Sequence, residues 1–309
     1  MKKIYLALTI LFYISCANDK NEKKSDSTLL KNTIKVDSAN CPDYLMERKE
    51  NNYNVTILID LSSRISKENQ QQRDSSYIYT IANTFNEHIK TKKLGLLKDK
   101  IQVLFHPIPN NSEINNYSEQ LRISYEKGVS KNEVIPKTEL LYKTLPSKIY
   151  DLAKKDYNKF QNYPGSDTWS FFKDDINDQS IEECYRNFVV ILTDGYMYYQ
   201  NNLRDEGAKK NYLLPRTIKE FNLTNSKWED VMIQKNIGFI PANTNLNNLE
   251  VLVLGINSEN DKNPYETDVI KSFWENWFKE MGIKKYKVKK TDLPSNIEPV
   301  IKEFFQPIK

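Results

Sequence analysis

Short apolar runs alternating with amphipathic stretches, two of the runs closed by an aspartate, constrain the fold of this chain more than any other feature. Residues 55–59 form one such run, ending at Asp60, after which Ile78, Ile81, Ala82, Phe85 and Ile89 share one helical face. Residues 101–105 read as a second strand and 140–153 as a second amphipathic helix, while 168–184 reads as helix broken near Asn177. Residues 188–193 form the strongest strand and end at Asp194 and Gly195. A further buried strand, 249–256, precedes a helix with Trp274, Trp277, Phe278 and Met281 on one face, and a strand at 285–288 and a helix at 296–305 close the series. Strands that alternate with helices need crossover connections, so the expected fold is α/β: a doubly wound three-layer α/β/α sandwich around a mostly parallel sheet. In such sheets ligands bind beyond the carboxyl ends of the strands, where Asp60 and Asp194 both fall.

At 309 residues the chain can hold one large domain, and the aromatic share of 12% supplies a substantial core. The 45 basic residues are spread against 41 acidic ones, with no basic stripe interleaved with aromatics, so nucleic acid is not an expected partner. More residues separate Gly195 from Leu249 than one crossover helix needs. An insertion is therefore expected at about 197–248, and the Tyr196, Tyr198, Tyr199, Asn201, Asn202, Arg204 and later Trp228 between Gly195 and Leu249 suit either a contact surface or the insertion's own small core. The organisation expected is a signal peptide at 1–15, a tether at 16–50 and one α/β domain at 51–309.

The N-terminus speaks to location. Lys2 and Lys3 precede an apolar stretch at 4–14, and Ser15 stands directly before Cys16. The stretch is too short to span a bilayer. Tyr13, Ile14, Ser15 and Cys16 resemble the lipobox of bacterial lipoproteins, with Tyr13 where that signal usually carries Leu. The resemblance implies cleavage before Cys16, lipidation of its sulfur and anchoring in the cell envelope, at the outer membrane, on a face the sequence leaves open. The following residues, rich in Lys, Asn, Asp and Ser, suit a tether. Cys41 and Cys184 remain, and outside the cytoplasm they can form a disulfide or stay as buried thiols.

Two carboxylates ending buried strands must find a cation or hydrogen-bond donors. Ser62 follows Asp60 into the same loop mouth, and Thr168, after Gly165, Ser166 and Asp167, opens another helix. Oxygens from Asp60, Ser62, Thr168 and Asp194 suit a hard divalent ion such as Mg²⁺. Each hydroxyl taken alone also suits a helix cap. The run Ile57-Leu58-Ile59-Asp60-Leu61-Ser62-Ser63-Arg64 resembles the first strand and Asp-x-Ser-x-Ser loop of the von Willebrand factor type A family, and Ile191-Leu192-Thr193-Asp194-Gly195 its Thr-Asp-Gly strand end. The likeness covers about 53–305. It implies a metal-ion-dependent adhesion site whose ion takes an acidic residue of a partner protein, with Asp60, Ser62, Asp194 and the middle-loop Thr168 as ligands. Arg64 replaces the last serine of the first loop, which leaves two outcomes open. Either Ser63 or Ser66 stands in and Mg²⁺ binds, or the guanidinium bridges Asp60 and Asp194 in the ion's place.

Only 8 glycines occur, none in a phosphate-binding array, and His88 and His106 are far apart in the sequence, which suggests neither a zinc pair nor a triad. Phosphatase chemistry of the haloacid dehalogenase type needs a second carboxylate where Ser62 stands. The expected function is a non-catalytic, lipid-anchored module that binds a partner protein through the strand-end loops. The alternatives are a metal-dependent ester hydrolase with Ser62 or Ser63 as nucleophile, and a structural subunit of an envelope complex.

Overall fold

A computed structural model describes residues 41–42, 51–125, 129–160, 165–260 and 262–306. The expected signal peptide, Cys16 and almost all of the expected tether lie outside the described residues.

Strand β1 (Asn52–Ile59) is buried along its whole length, with Val55, Ile57 and Ile59 on one face and Asn54, Thr56 and Leu58 on the other. A strand buried on both faces is stable only as the centre of a covered sheet. It pairs in parallel with β2 (Lys100–Phe105) on one side and β4 (Tyr185–Leu192) on the other. β8 (Leu249–Ile256) and β9 (Lys285–Lys290) extend the sheet in parallel beyond β4. The antiparallel β3 (Ile123–Ser124) covers only the first two residues of β2. The sheet order is β3-β2-β1-β4-β8-β9, so strands are added first on one side of β1 and then on the other, and the boundary between β1 and β4 is the switch point at which doubly wound sheets open a crevice.

Helices α1 (Gln70–Thr91), α3 (Lys131–Phe160) and α9 (Pro294–Phe305) cover one face, packing Tyr77, Ile81, Phe85, Tyr150, Ile301 and Phe305 on the inward residues of β1, β2 and β4. The other face is covered by a helical run opened by α4 (Thr168–Ser170), by the residues between β4 and β8, and by α8 (Glu266–Glu280). The expected three-layer sandwich is therefore the observed one.

Several boundaries differ from the periodicity. The second amphipathic helix is far longer than 140–153: α3 starts at Lys131, passes through Pro136 and ends at Phe160. The run from Thr168 does not break at Asn177: it passes through a π turn at Phe171–Asp175 into α5 (Ile176–Ser180), and both Phe171 and Phe172 are buried. A helix α2 (Ser112–Gln120) lies where none was expected, opened by the Asn111 side chain accepting hydrogen bonds from the Glu113 and Ile114 amides. Between β4 and β8 lies a small sheet of β5 (Asp205–Glu206), β6 (Lys209–Lys210) and β7 (Gly238–Phe239), with α6 (Pro215–Glu220) and α7 (Trp228–Lys235). Cys41 and Cys184 are joined in a disulfide. No helix among the described residues is long and apolar enough to cross a membrane.

Candidate functional site

The parallel hydrogen bonding of the sheet continues past the strand ends and sets Asp60 and Asp194 in place. The Asp60 amide donates to the Leu192 carbonyl at 3.0 Å, Thr193 to Leu254 at 3.1 Å and Asn257 to the Asp194 carbonyl at 3.0 Å. Asp60 and Asp194 thus stand on adjacent strands at the switch point, 4% and 5% exposed, too little for water to solvate either charge fully. The Asp60 carboxylate accepts from the Ser62 amide at 2.8 Å on one oxygen and from the Thr193 hydroxyl at 2.8 Å on the other. Thr193 therefore belongs to the site, although the sequence showed it only as part of a strand end.

Gly195 completes the Thr-Asp-Gly turn for a steric reason. Its φ is +97°, and a Cβ there would stand 2.3 Å from Ile270 Cγ2 on α8. The absent side chain lets Trp274 approach and donate its indole N–H to the Gly195 carbonyl at 2.9 Å.

Arg64 does not bridge the two aspartates. It sits in a 3₁₀ turn, Ser63–Ser66, and turns inward to a bidentate pair with Asp74 on α1, at 2.9 and 3.2 Å, with both side chains fully buried. Its remaining contact toward the site is a 3.1 Å hydrogen bond to the Asp60 backbone carbonyl. Tyr150 and Gln70 donate to the same Asp74 carboxylate at 2.6 and 2.9 Å. Asp74 lies on the apolar stripe of α1 between Gln70 and Tyr77. A carboxylate on that stripe is the signal by which the partner of Arg64 could have been found.

A different cation meets Asp194. The Lys67 ammonium lies 2.9 Å from Asp194 Oδ2 and 3.8 Å from Glu259 in the loop after β8. Glu259 is itself fixed, its amide donating to the Tyr196 hydroxyl at 3.1 Å. Lys67 therefore clasps three loops, those after β1, β4 and β8. Neither Lys67 nor Glu259 follows from the motif, since both lie outside the residues that carry the resemblance.

Thr168 enters the rim by another route. The Asp167 amide donates to the carbonyl of His106 just past β2 at 3.2 Å, and the Asp167 side chain caps α4 through the Ser170 amide at 3.2 Å. Ser166 donates to the Tyr198 carbonyl at 2.9 Å, and Asn202 reaches Ser170 at 2.5 Å, so the first residues after β4 hold this loop down. Thr168 is buried, and among the described residues no hydrogen bond joins it to Asp60 or Asp194.

Burial pushes the Asp60 carboxyl above its ordinary range; the Arg64 charge pulls it back, the Asp194 charge pushes it up again, and hydrogen bonds from Ser62 oppose the rise. Two buried carboxylates that repel each other are what a divalent cation would neutralise, and Asp60, Ser62, Thr168 and Asp194 are the residues that would hold it. As arranged, however, Lys67 pairs directly with Asp194, and Arg64, although paired with Asp74, lies close enough for its charge to oppose that of Asp60. With the ammonium already 2.9 Å from Asp194 Oδ2, a Mg²⁺ ion could reach that oxygen only by displacing it, since at about 4 Å the two cations repel by about 8 kcal/mol at an effective dielectric constant of about 20, which offsets part of the ion's attraction to the carboxylates. This arrangement therefore fits a tethered ammonium and does not fit a resident Mg²⁺.

No family model matches the chain, and no curated protein does. Among solved structures the chain is similar to the pilus adhesin SpaC from Lactobacillus rhamnosus GG, at 10% identity, with 82% of this chain and 30% of that one covered and a TM-score of 0.39. The chain thus spans less than a third of that adhesin's length.

Proposed function

We propose that the chain is a non-catalytic protein-binding module of the von Willebrand factor type A kind, held at the cell envelope by lipid on Cys16, with the loops at the carboxyl ends of β1, β4 and β8 as its docking face. One observation carries the reading. At the topological switch point, three loops bring two buried carboxylates and a partly exposed ammonium together on a rigid frame. A charged, pre-organised rim of this kind costs little to order on binding and offers directional contacts to a partner. The half-buried Tyr198 and Tyr199 border the same rim and add ring surface of the type enriched at contact faces. The Cys41–Cys184 bridge supports the location, since such bonds persist in oxidising compartments.

The test is site-specific photo-crosslinking in intact cells with the full chain. A crosslinker at Tyr199 should give a discrete adduct that weakens in Lys67→Glu and Asp194→Ala, while one at Leu94, outside the strand-end loops, should not. Equal yields at the two positions would overturn the docking face. Anchoring is tested separately, because a Cys16→Ser variant that still partitions with membranes refutes the lipid attachment.

A further inference from the structure

We infer that the resident cation of the Asp60–Asp194 site is the Lys67 ammonium, which takes the place of a divalent ion and keeps Mg²⁺ and Mn²⁺ out of the wild-type protein. This concerns the same loops as the docking face but does not depend on any partner.

Arg64 occupies the last serine position of the first loop and spends its charge on Asp74, where it draws the 3₁₀ turn inward. That turn ends at Lys67, whose extended backbone, φ −62° and ψ 145°, follows directly on Ser66. From there Nζ reaches 2.9 Å from Asp194 Oδ2 and 3.8 Å from Glu259 Oε1, so one flexible side chain spans the gap between loops. The Lys67 side chain is 27% exposed, whereas that of Asp194 is 7% exposed, so the ammonium covers the carboxylate on its solvent side and an entering ion must displace it. Asp60, meanwhile, has both oxygens engaged by Ser62 and Thr193 at 2.8 Å. A compact ammonium offers three rotatable donors and tolerates this irregular set of oxygens, while Mg²⁺ demands near-octahedral geometry.

The experiment is an electron paramagnetic resonance titration of Mn²⁺ into the purified full chain, wild type and Lys67→Gln, with tryptophan emission as a check of folding. The wild type should leave added Mn²⁺ free up to millimolar concentration. Lys67→Gln should bind Mn²⁺ at least tenfold more tightly, and Lys67→Gln with Asp194→Asn should lose that gain. Lys67→Arg, which restores a cation, should exclude the ion again. If Lys67→Gln does not fold, Lys67→Ser takes its place in the series. Submillimolar binding by the wild type overturns the inference, and so does failure of the charge-removed variant to bind, since Lys67 would then not be what excludes the ion.

Discussion

Arg64 and Lys67 stand three residues apart in one loop, and their burdens differ because their burial differs. The Arg64–Asp74 pair is fully buried, with Asp74 also served by Tyr150 and Gln70. Removing one member strands the other charge out of water, a loss of about 3–5 kcal/mol. Asp74→Ala should therefore lower the urea midpoint by that order or fail to fold. Lys67 is partly exposed and sits at the mouth, where the amide of a glutamine can still donate to Asp194, so Lys67→Gln should cost clearly less than Asp74→Ala. Urea unfolding of both variants checks the contrast, and a Lys67→Gln loss as large as that of Asp74→Ala would mean that Lys67 holds the fold rather than the site. The two aspartates and Ser62 were legible because strand ends and loop spacing are local properties of the chain. The direction of Arg64 was not, since it depends on a carboxylate ten residues away that shows itself only once α1 is laid on the sheet.

At the scale of elements, the residues between β4 and β8 are part of the core. Leu213, Ile218, Leu223, Met232 and Phe239 are buried in the same cluster as Trp274 and Trp277. The Ile240 carbonyl accepts the indole N–H of both Trp169 and Trp277, at 2.8 and 2.9 Å, which fastens α4 and α8 through the segment that follows β7. Deleting residues 205–240 should therefore strip the apolar face of α8. Trp169, Trp274 and Trp277, which the deletion keeps, are buried in the intact chain, so the deletion should shift their emission to the red and lower the soluble yield. A soluble deletion with unshifted emission would show the segment to be an independent appendage. The alternation of strands and helices was readable because a doubly covered strand is continuously apolar. The small sheet was not, since β5, β6 and β7 are two residues each and carry no period. α2 also escaped notice, although Asn111 before Ser112 and Glu113 is a capping signal, because its nine residues bury only Ile114 and Ser118.

Over the whole molecule the two ends of the sheet do different work. The carboxyl ends carry the loops of the site, and the amino ends are locked by buried polar contacts and by the disulfide. Asp99 accepts from the Tyr53 amide at 2.7 Å, from Lys92 at 2.7 Å and from His88 at 3.1 Å, so it ties α1 to the start of β1 and β2. Burial alone would raise the Asp99 carboxyl, but the hydrogen bond from His88 and the charge of Lys92 outweigh it and hold it below the ordinary value of 3.8. An acid depressed in the folded state adds stability that is complete above its unfolded value and is lost as pH falls through its folded one. The wild type should therefore lose stability below about pH 4 more steeply than Asp99→Asn, as urea unfolding between pH 2.5 and 5 would measure. The disulfide acts at the same end. Cys41 precedes β1 and Cys184 directly precedes β4, so the bond ties Cys41 to the entry of β4 across a separation of 143 residues. Closing a loop of that length removes denatured-state entropy worth about 5 kcal/mol in the chain-entropy treatment. Reduction, or Cys184→Ser, should lower the urea midpoint while leaving the emission of the buried tryptophans native at low denaturant, because none of the four touches the bridge through a ring contact or hydrogen bond among the described residues. A midpoint unchanged by reduction would mean that the sheet and the Asp99 contacts alone fix the amino end.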